Sequence, residues 1–88
     1  MTHVTVDWDA GVFRGLPGDW QVACQLTEPG KEPAIVGVGW CDNTPDENPL
    51  AVVNDIRAWR RDRPQADVRL VARRVGPPTP VDLAMVEP

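Results

Sequence analysis

From His3 to Trp40 the apolar residues sit on even-numbered positions, and this parity constrains the chain more than any other feature. Val4, Val6, Trp8, Ala10 and Val12 form a first set, Trp20, Val22, Cys24 and Leu26 a second, and Ala34, Val36, Val38 and Trp40 a third. Odd positions hold His3, Thr5, Asp7, Asp9, Gln21, Gln25, Thr27, Gly37 and Gly39. Successive side chains of a strand point to opposite faces, so strict alternation predicts strands with one buried side. Three such runs in a row predict an antiparallel meander. Phe13 and Ile35 break the parity, which allows a bulge near Gly11.

The connections agree with a meander. Leu16-Pro17-Gly18-Asp19 and Glu28-Pro29-Gly30-Lys31 both carry Pro then Gly, a type II turn signature. Pairing Val22 with Trp40, Cys24 with Val38 and Leu26 with Val36 keeps all three pairs on one face. In that register Cys24 and Cys41 point to opposite faces, which argues against a disulfide. All four tryptophans, Trp8, Trp20, Trp40 and Trp59, are then expected on buried faces.

One long helix is predicted, from Pro49 to about Arg63. Val52, Val53, Ile56 and Trp59 lie within roughly 120° on its wheel, at about 100° per residue. Asn54, Asp55, Arg61 and Asp62 take the opposite side. Asn48 suits the N-cap and Pro49 the first helical position, where a missing N–H costs nothing. Thr44-Pro45-Asp46-Glu47 also has the form of a capping box, but a helix starting there would hold Pro49 inside it. Arg60, Arg61 and Arg63 suit the negative end of the helix dipole, and Pro64 stops the helix. Burying the four apolar residues is worth on the order of 6–12 kcal/mol as an upper bound.

After the helix, Asp67 to Arg73 alternates again, with Val68, Leu70 and Ala72 facing in. A strand, helix, strand series predicts a fourth strand parallel to the third through a right-handed crossover. The expected class is therefore α+β, with a βββαβ order. A sheet order of 3-2-1-4 brings Arg69 and Arg73 near Asp7 and Asp9. Residues 1–76 are read as one domain, ended by Gly76-Pro77-Pro78. Residues 77–88 form a Pro-rich tail in which Val81, Leu83, Met85 and Val86 are apolar enough to dock.

With 88 residues there is room for one modest core. No apolar stretch approaches the roughly 18–20 residues a membrane span needs. The N-terminus lacks the basic and apolar regions of a signal peptide, so the chain is expected in the cytoplasm of a bacterium or, if phage-encoded, of its host. Eight Arg against one Lys, with abundant Val, Ala and Pro, fit a GC-rich coding source such as an actinobacterium or one of its phages. In that compartment Cys24 and Cys41 are expected as reduced thiols.

Three antiparallel strands, a helix and a parallel fourth strand resemble the first half of the RNase H-like fold. Asp9-Ala10-Gly11 near the end of strand one and Pro17-Gly18-Asp19-Trp20 ahead of strand two are similar as well. That half occurs alone in a family of antitoxins with a partial RNase H fold, whose chains often carry a Leu-Pro-Gly such as Leu16-Pro17-Gly18. The likeness covers residues 3–74. It implies metal-binding carboxylates on strand one, the helix and strand four. Asp9 or Asp7 matches the first. The second position holds Pro49, with Glu47 nearby, and the third holds Arg73, whose charge opposes a metal. The catalytic acids are not retained, and no nuclease is expected.

Other enzyme readings have less to stand on. His3 is the only histidine, which leaves no nucleophile–base arrangement and no His cluster for zinc. Two Cys separated by sixteen residues fit no metal or redox spacing. Gly37-Val38-Gly39 lacks the third Gly of a dinucleotide fingerprint and reads as a strand with small side chains. No cofactor is expected.

Charge is unevenly distributed. Residues 1–48 carry two basic residues against eight acids, and residues 49–76 seven Arg against three acids. Attraction between the two halves is the simpler reading of this asymmetry. The alternative is a nucleic-acid contact through Arg57, Arg60, Arg61, Arg63, Arg69, Arg73 and Arg74. The favoured function is a small non-enzymatic protein-interaction module, an accessory, inhibitory or structural subunit. Its expected contact face is Gln21, Ala23, Gln25, Gly37 and Gly39, small and weakly polar. An exposed edge at the third strand would invite a partner protein or a second copy.

Overall fold

A computed structural model describes residues 3–16, 19–47, 49–75, 80 and 84. Strand β3 (Trp20–Thr27) is the centre of a three-stranded sheet, with β4 (Ala34–Asp42) on one side and β5 (Asp67–Arg74) on the other. Both flanking strands run antiparallel to β3. Helix α1 (Leu50–Asp62) packs across one face and touches all three strands. The strands β1 (Thr5–Asp7) and β2 (Val12–Arg14) form a separate antiparallel hairpin.

This corrects the expected topology. Among the described residues no strand pairs in parallel with the third, and the order 3-2-1-4 is not the order of this sheet. Strand β5 pairs with β3 instead, from Trp20 opposite Arg74 to Thr27 opposite Asp67. Strands β4 and β5 do run the same way, but β3 lies between them. The cause is the first stretch, which folds back on itself rather than forming one strand. The Asp7 carboxylate accepts the N–H groups of Asp9 (3.2 Å) and Ala10 (3.1 Å), and Gly11 N–H donates to the Asp7 carbonyl (2.8 Å). Gly11 takes φ +69°, which a side chain disfavours. Each arm of the hairpin is three residues long, so the second edge of β3 is left to β5. Asp7 therefore pairs with Arg14 (2.9 Å) and not with Arg69 or Arg73. The Ala10 N–H and then the Arg14 guanidinium hold the Asp7 carboxyl below the usual carboxylate range.

The helix starts one residue later than expected. Pro49 is buried, with αR dihedrals, and its carbonyl accepts the Val52 N–H (3.0 Å). The Asn48 cap lies outside the described residues. Residues Pro45–Glu47 make a 3₁₀ turn of their own rather than the first turn of α1. At the other end Arg63 N–H closes on the Trp59 carbonyl (2.8 Å).

The core lies between sheet and helix. Phe13, Val22, Cys24, Leu26, Cys41, Val52 and Val68 are buried there, with Val53, Ile56, Trp59 and Leu70 partly buried around them. Asn43 is the buried polar residue among those described. Its side-chain oxygen accepts the Phe13 N–H (2.8 Å) and its amide donates to the Phe13 carbonyl (3.0 Å), so it pairs with the hairpin as a neighbouring strand would. This bond pair fixes β2 against the end of β4 and satisfies both buried backbone groups. The tail residues Val81, Leu83, Met85 and Val86 lie outside the described residues.

Candidate protein-binding face

The β3–β4 register is broken, and the break builds the site. Cys24 stands opposite Val36, but Val22 stands opposite Cys41. Four residues of β4, Gly37 to Trp40, therefore face Ala23 alone. Gly37 and Gly39 take φ +75° and +80°, which lets the strand bulge without a Cβ penalty. Helix α1 fixes the bulge: the Asp55 carboxylate accepts the Val38 N–H at 2.9 Å. A Cβ at Gly37 would run into that carboxylate.

Three extra residues invert the parity of β4. Cys41, opposite Val22, turns into the same core as Cys24, correcting the expectation that the two cysteines face opposite ways. Both are free thiols. Burial pushes both thiols up, helped at Cys24 by Asp55 against an opposing Arg60 and at Cys41 by Glu47, Asp55 and Asp42, so neither is activated as a nucleophile. Trp40 turns to the sheet face away from the helix, and Val38 is left 54% exposed. These two residues were expected inside. Trp8, in the hairpin turn, is 53% exposed and was expected inside as well.

The face away from the helix can be followed row by row from the register. Asp42, Gln21 and Arg73 form one row across the three strands. The Gln21 amide donates to Asp42 (2.7 Å), and its oxygen accepts from Arg73 Nε (3.0 Å). The Arg73 guanidinium reaches over β3 to lie 4.3 Å from the centre of the Trp40 ring, a cation–π geometry. Ala23 and Val71 form the next row, and Ile35, Gln25 and Arg69 the one after. Ile35 is 37% exposed.

The residues expected to form a contact face divide accordingly. Gln21 and Gln25 are half-buried on this face. Ala23 is fully buried on it and offers no surface of its own. Gly37 and Gly39 belong to the bulge, not to a flat face. Sequence reasoning missed Trp40, Val71 and Asp55. The available signal was the Gly-x-Gly in a strand followed by adjacent Trp40 and Cys41, a parity break that a bulge explains.

The seven arginines proposed for nucleic acid do not form one free cluster. Arg57 lies 5.4 Å from the Trp8 ring, and Arg60 Nε donates to the Val68 carbonyl (3.1 Å). Arg61 pairs with Asp62 (3.2 Å), Arg63 with Glu28 (2.8 Å), and Arg74 with Asp19 (3.1 Å). Arg69 pairs with Asp67, and Arg73 is held by Gln21 and Trp40. Two of these pairs join the acidic first half to the basic second half. Among the described residues no group of three or more His, Cys, Asp or Glu is placed to hold a metal ion. No helix among them is long and apolar enough to cross a membrane.

No family model, curated protein or solved structure matches this chain.

Proposed function

We propose that the chain is a non-enzymatic protein-interaction module whose contact face centres on Trp40. The carrying observation is the β4 bulge. Two left-handed glycines and a helix carboxylate hold Trp40 out of the core and leave Val38 exposed beside it. A strand built only to close the core would keep both inside. The surroundings have the composition of an interface centre: a Trp, apolar Ile35 and Val71, and Arg69 and Arg73 with Asp42 at the margin.

Photo-crosslinking tests this reading. A benzoylphenylalanine at Val38 and one at Ile35 should capture the same partner in the native cell, and one at Asp62 should not. Trp40→Ala should weaken capture at least tenfold while leaving the circular dichroism unchanged. Equal capture from Asp62, or full capture by Trp40→Ala, ends the proposal.

Nucleic-acid binding through the arginines is the weaker proposal, because each of the seven already has a partner within the chain. Exposed ion pairs are weak enough for phosphate to compete. Four displaced arginines predict a log–log salt slope of about −3.6 on duplex DNA, and no affinity at about 50 mM salt removes it.

A further inference from the structure

Strand β5 is the second edge of the sheet, and its ladder has a fixed phase. Val75 N–H donates to the Asp19 carbonyl at 2.7 Å, which makes 19–75 a hydrogen-bonded pair. Bonded pairs recur every second residue in an antiparallel ladder, so the odd residues of β5 spend their backbone groups on β3. Val68, Leu70, Ala72 and Arg74 therefore turn N–H and C=O outward. The bond from Arg60 to the Val68 carbonyl agrees with this phase. The outward groups of Leu70 and Ala72 have no partner among the described residues. Strand β5 carries no Pro and no bulge, and its eight residues keep one register with β3. Leu70 and Ala72 are only half-buried at the same place, on the core side of the sheet. Unpaired backbone and half-covered apolar side chains coincide there.

We infer that β5 is the seam of a homodimer, pairing antiparallel with β5 of a second copy about a two-fold axis at Leu70. Charge selects the second copy and this register. With the axis at Leu70, Leu70 meets the partner's Leu70, and Val68 meets the partner's Ala72. Asp67 meets the partner's Arg73 twice, once on each side of the axis, and Arg69 meets the partner's Val71. Moving the axis to residue 69 sets Arg69 against the partner's Arg69. Moving it to residue 71 sets Arg69 against the partner's Arg73. Like charges directly opposite one another destabilise a strand pair. The Leu70 axis pairs residues 67 to 73, seven of the eight residues of β5, and replaces repulsion with two ion pairs. Arg60 leaves the Val68 carbonyl a second lone pair for the incoming strand. In the single chain Arg73 lies inward over Trp40, so its guanidinium turns toward the seam when the copies meet. The result is a six-stranded sheet with one β4 bulge at each end.

The seam lies along the β5 edge and shares only Arg73 with the Trp40 face. Sedimentation equilibrium of the whole chain tests it through a charge swap. Asp67→Arg and Arg73→Asp should each weaken dimerisation about tenfold or more, and the double variant should return to within about threefold of the original. Ala72→Pro removes an N–H that β3 does not use, so it should give a folded monomer. A monomeric wild-type chain at every soluble concentration overturns the seam and leaves the Trp40 reading standing. So does a double variant no better than its parents, or a folded Ala72→Pro that still dimerises. If Ala72→Pro fails to fold, the charge swap decides alone, since both its residues lie on the face away from the core.

Discussion

Strands β4 and β5 flank the same central strand and run in the same direction, yet they are built on opposite principles. Strand β5 keeps one register over eight residues and holds its place through the backbone ladder. Strand β4 abandons its register after Val36, loops through Gly37 to Trp40, and resumes at Cys41. Its bulge depends on side chains from elsewhere, above all Asp55 of α1. The regular edge therefore offers unpaired backbone, and the broken edge offers exposed side chains. Bulges are a common defence of sheet edges, and here the defended edge is the one that displays Trp40 and Val38. Two kinds of contact are separated by the width of one small sheet.

The sharpest way to break this comparison is Gly37→Ala. The new methyl meets the Asp55 carboxylate and the residue keeps φ +75°, so steric and backbone costs add. A loss of about 2–4 kcal/mol is expected in denaturant unfolding. Gly39→Ala is the internal control: it has φ +80° but nothing within 4 Å of its Cβ. Only the backbone term remains, about 1 kcal/mol. Equal losses at the two positions would mean that the Asp55 contact does not hold the bulge.

The same two strands show what the sequence made legible. The helix was visible because Val52, Val53, Ile56 and Trp59 share one arc and Pro64 ends it. The central strand was visible because β3 alternates without interruption. The hairpin was not, for a reason of arithmetic. Its turn, Trp8 to Gly11, sets Val6 opposite Phe13 and Asp7 opposite Val12, so the inward set passes from even to odd positions, and the even-numbered run through Val12 only imitates one strand. The bulge inserts three residues and reverses parity. Counting on from Val36 then assigns Val38 and Trp40 to the core and Cys41 to the surface, each the wrong way. Period-two patterns report faces only while the register is continuous. A single first strand would fill the position beside β3 and leave β5 only the far edge.

Asn43 shows a smaller dependence of the same strand end on a side chain. Asn43→Ala leaves Phe13 N–H and C=O buried without partners, and a loss of about 1–3 kcal/mol is expected. The Phe13 amide should also exchange with solvent much faster than the amides of Val22 and Cys24. Unchanged protection at Phe13 would show that the hairpin is held by its apolar contacts alone. Signals in the sequence for this residue were absent, because an Asn before Thr44-Pro45 reads equally well as turn chemistry.

The smallest effect belongs to β5, and it completes the contrast. Arg74 pairs with Asp19 at 3.1 Å, but the two side chains are 75% and 44% exposed. An exposed pair of this kind contributes little after solvent screening and side-chain entropy are counted. Arg74→Ala should therefore change stability by less than about 0.5 kcal/mol, and the change should shrink further as salt is raised. The Val75 N–H to Asp19 carbonyl bond lies beside this pair and does not depend on it. If the strand is held by its ladder, the Val75 amide stays protected in the variant. A loss comparable to that of Asn43→Ala would mean that β5, like β4, is fixed by its side chains, and the distinction between the two edges would disappear.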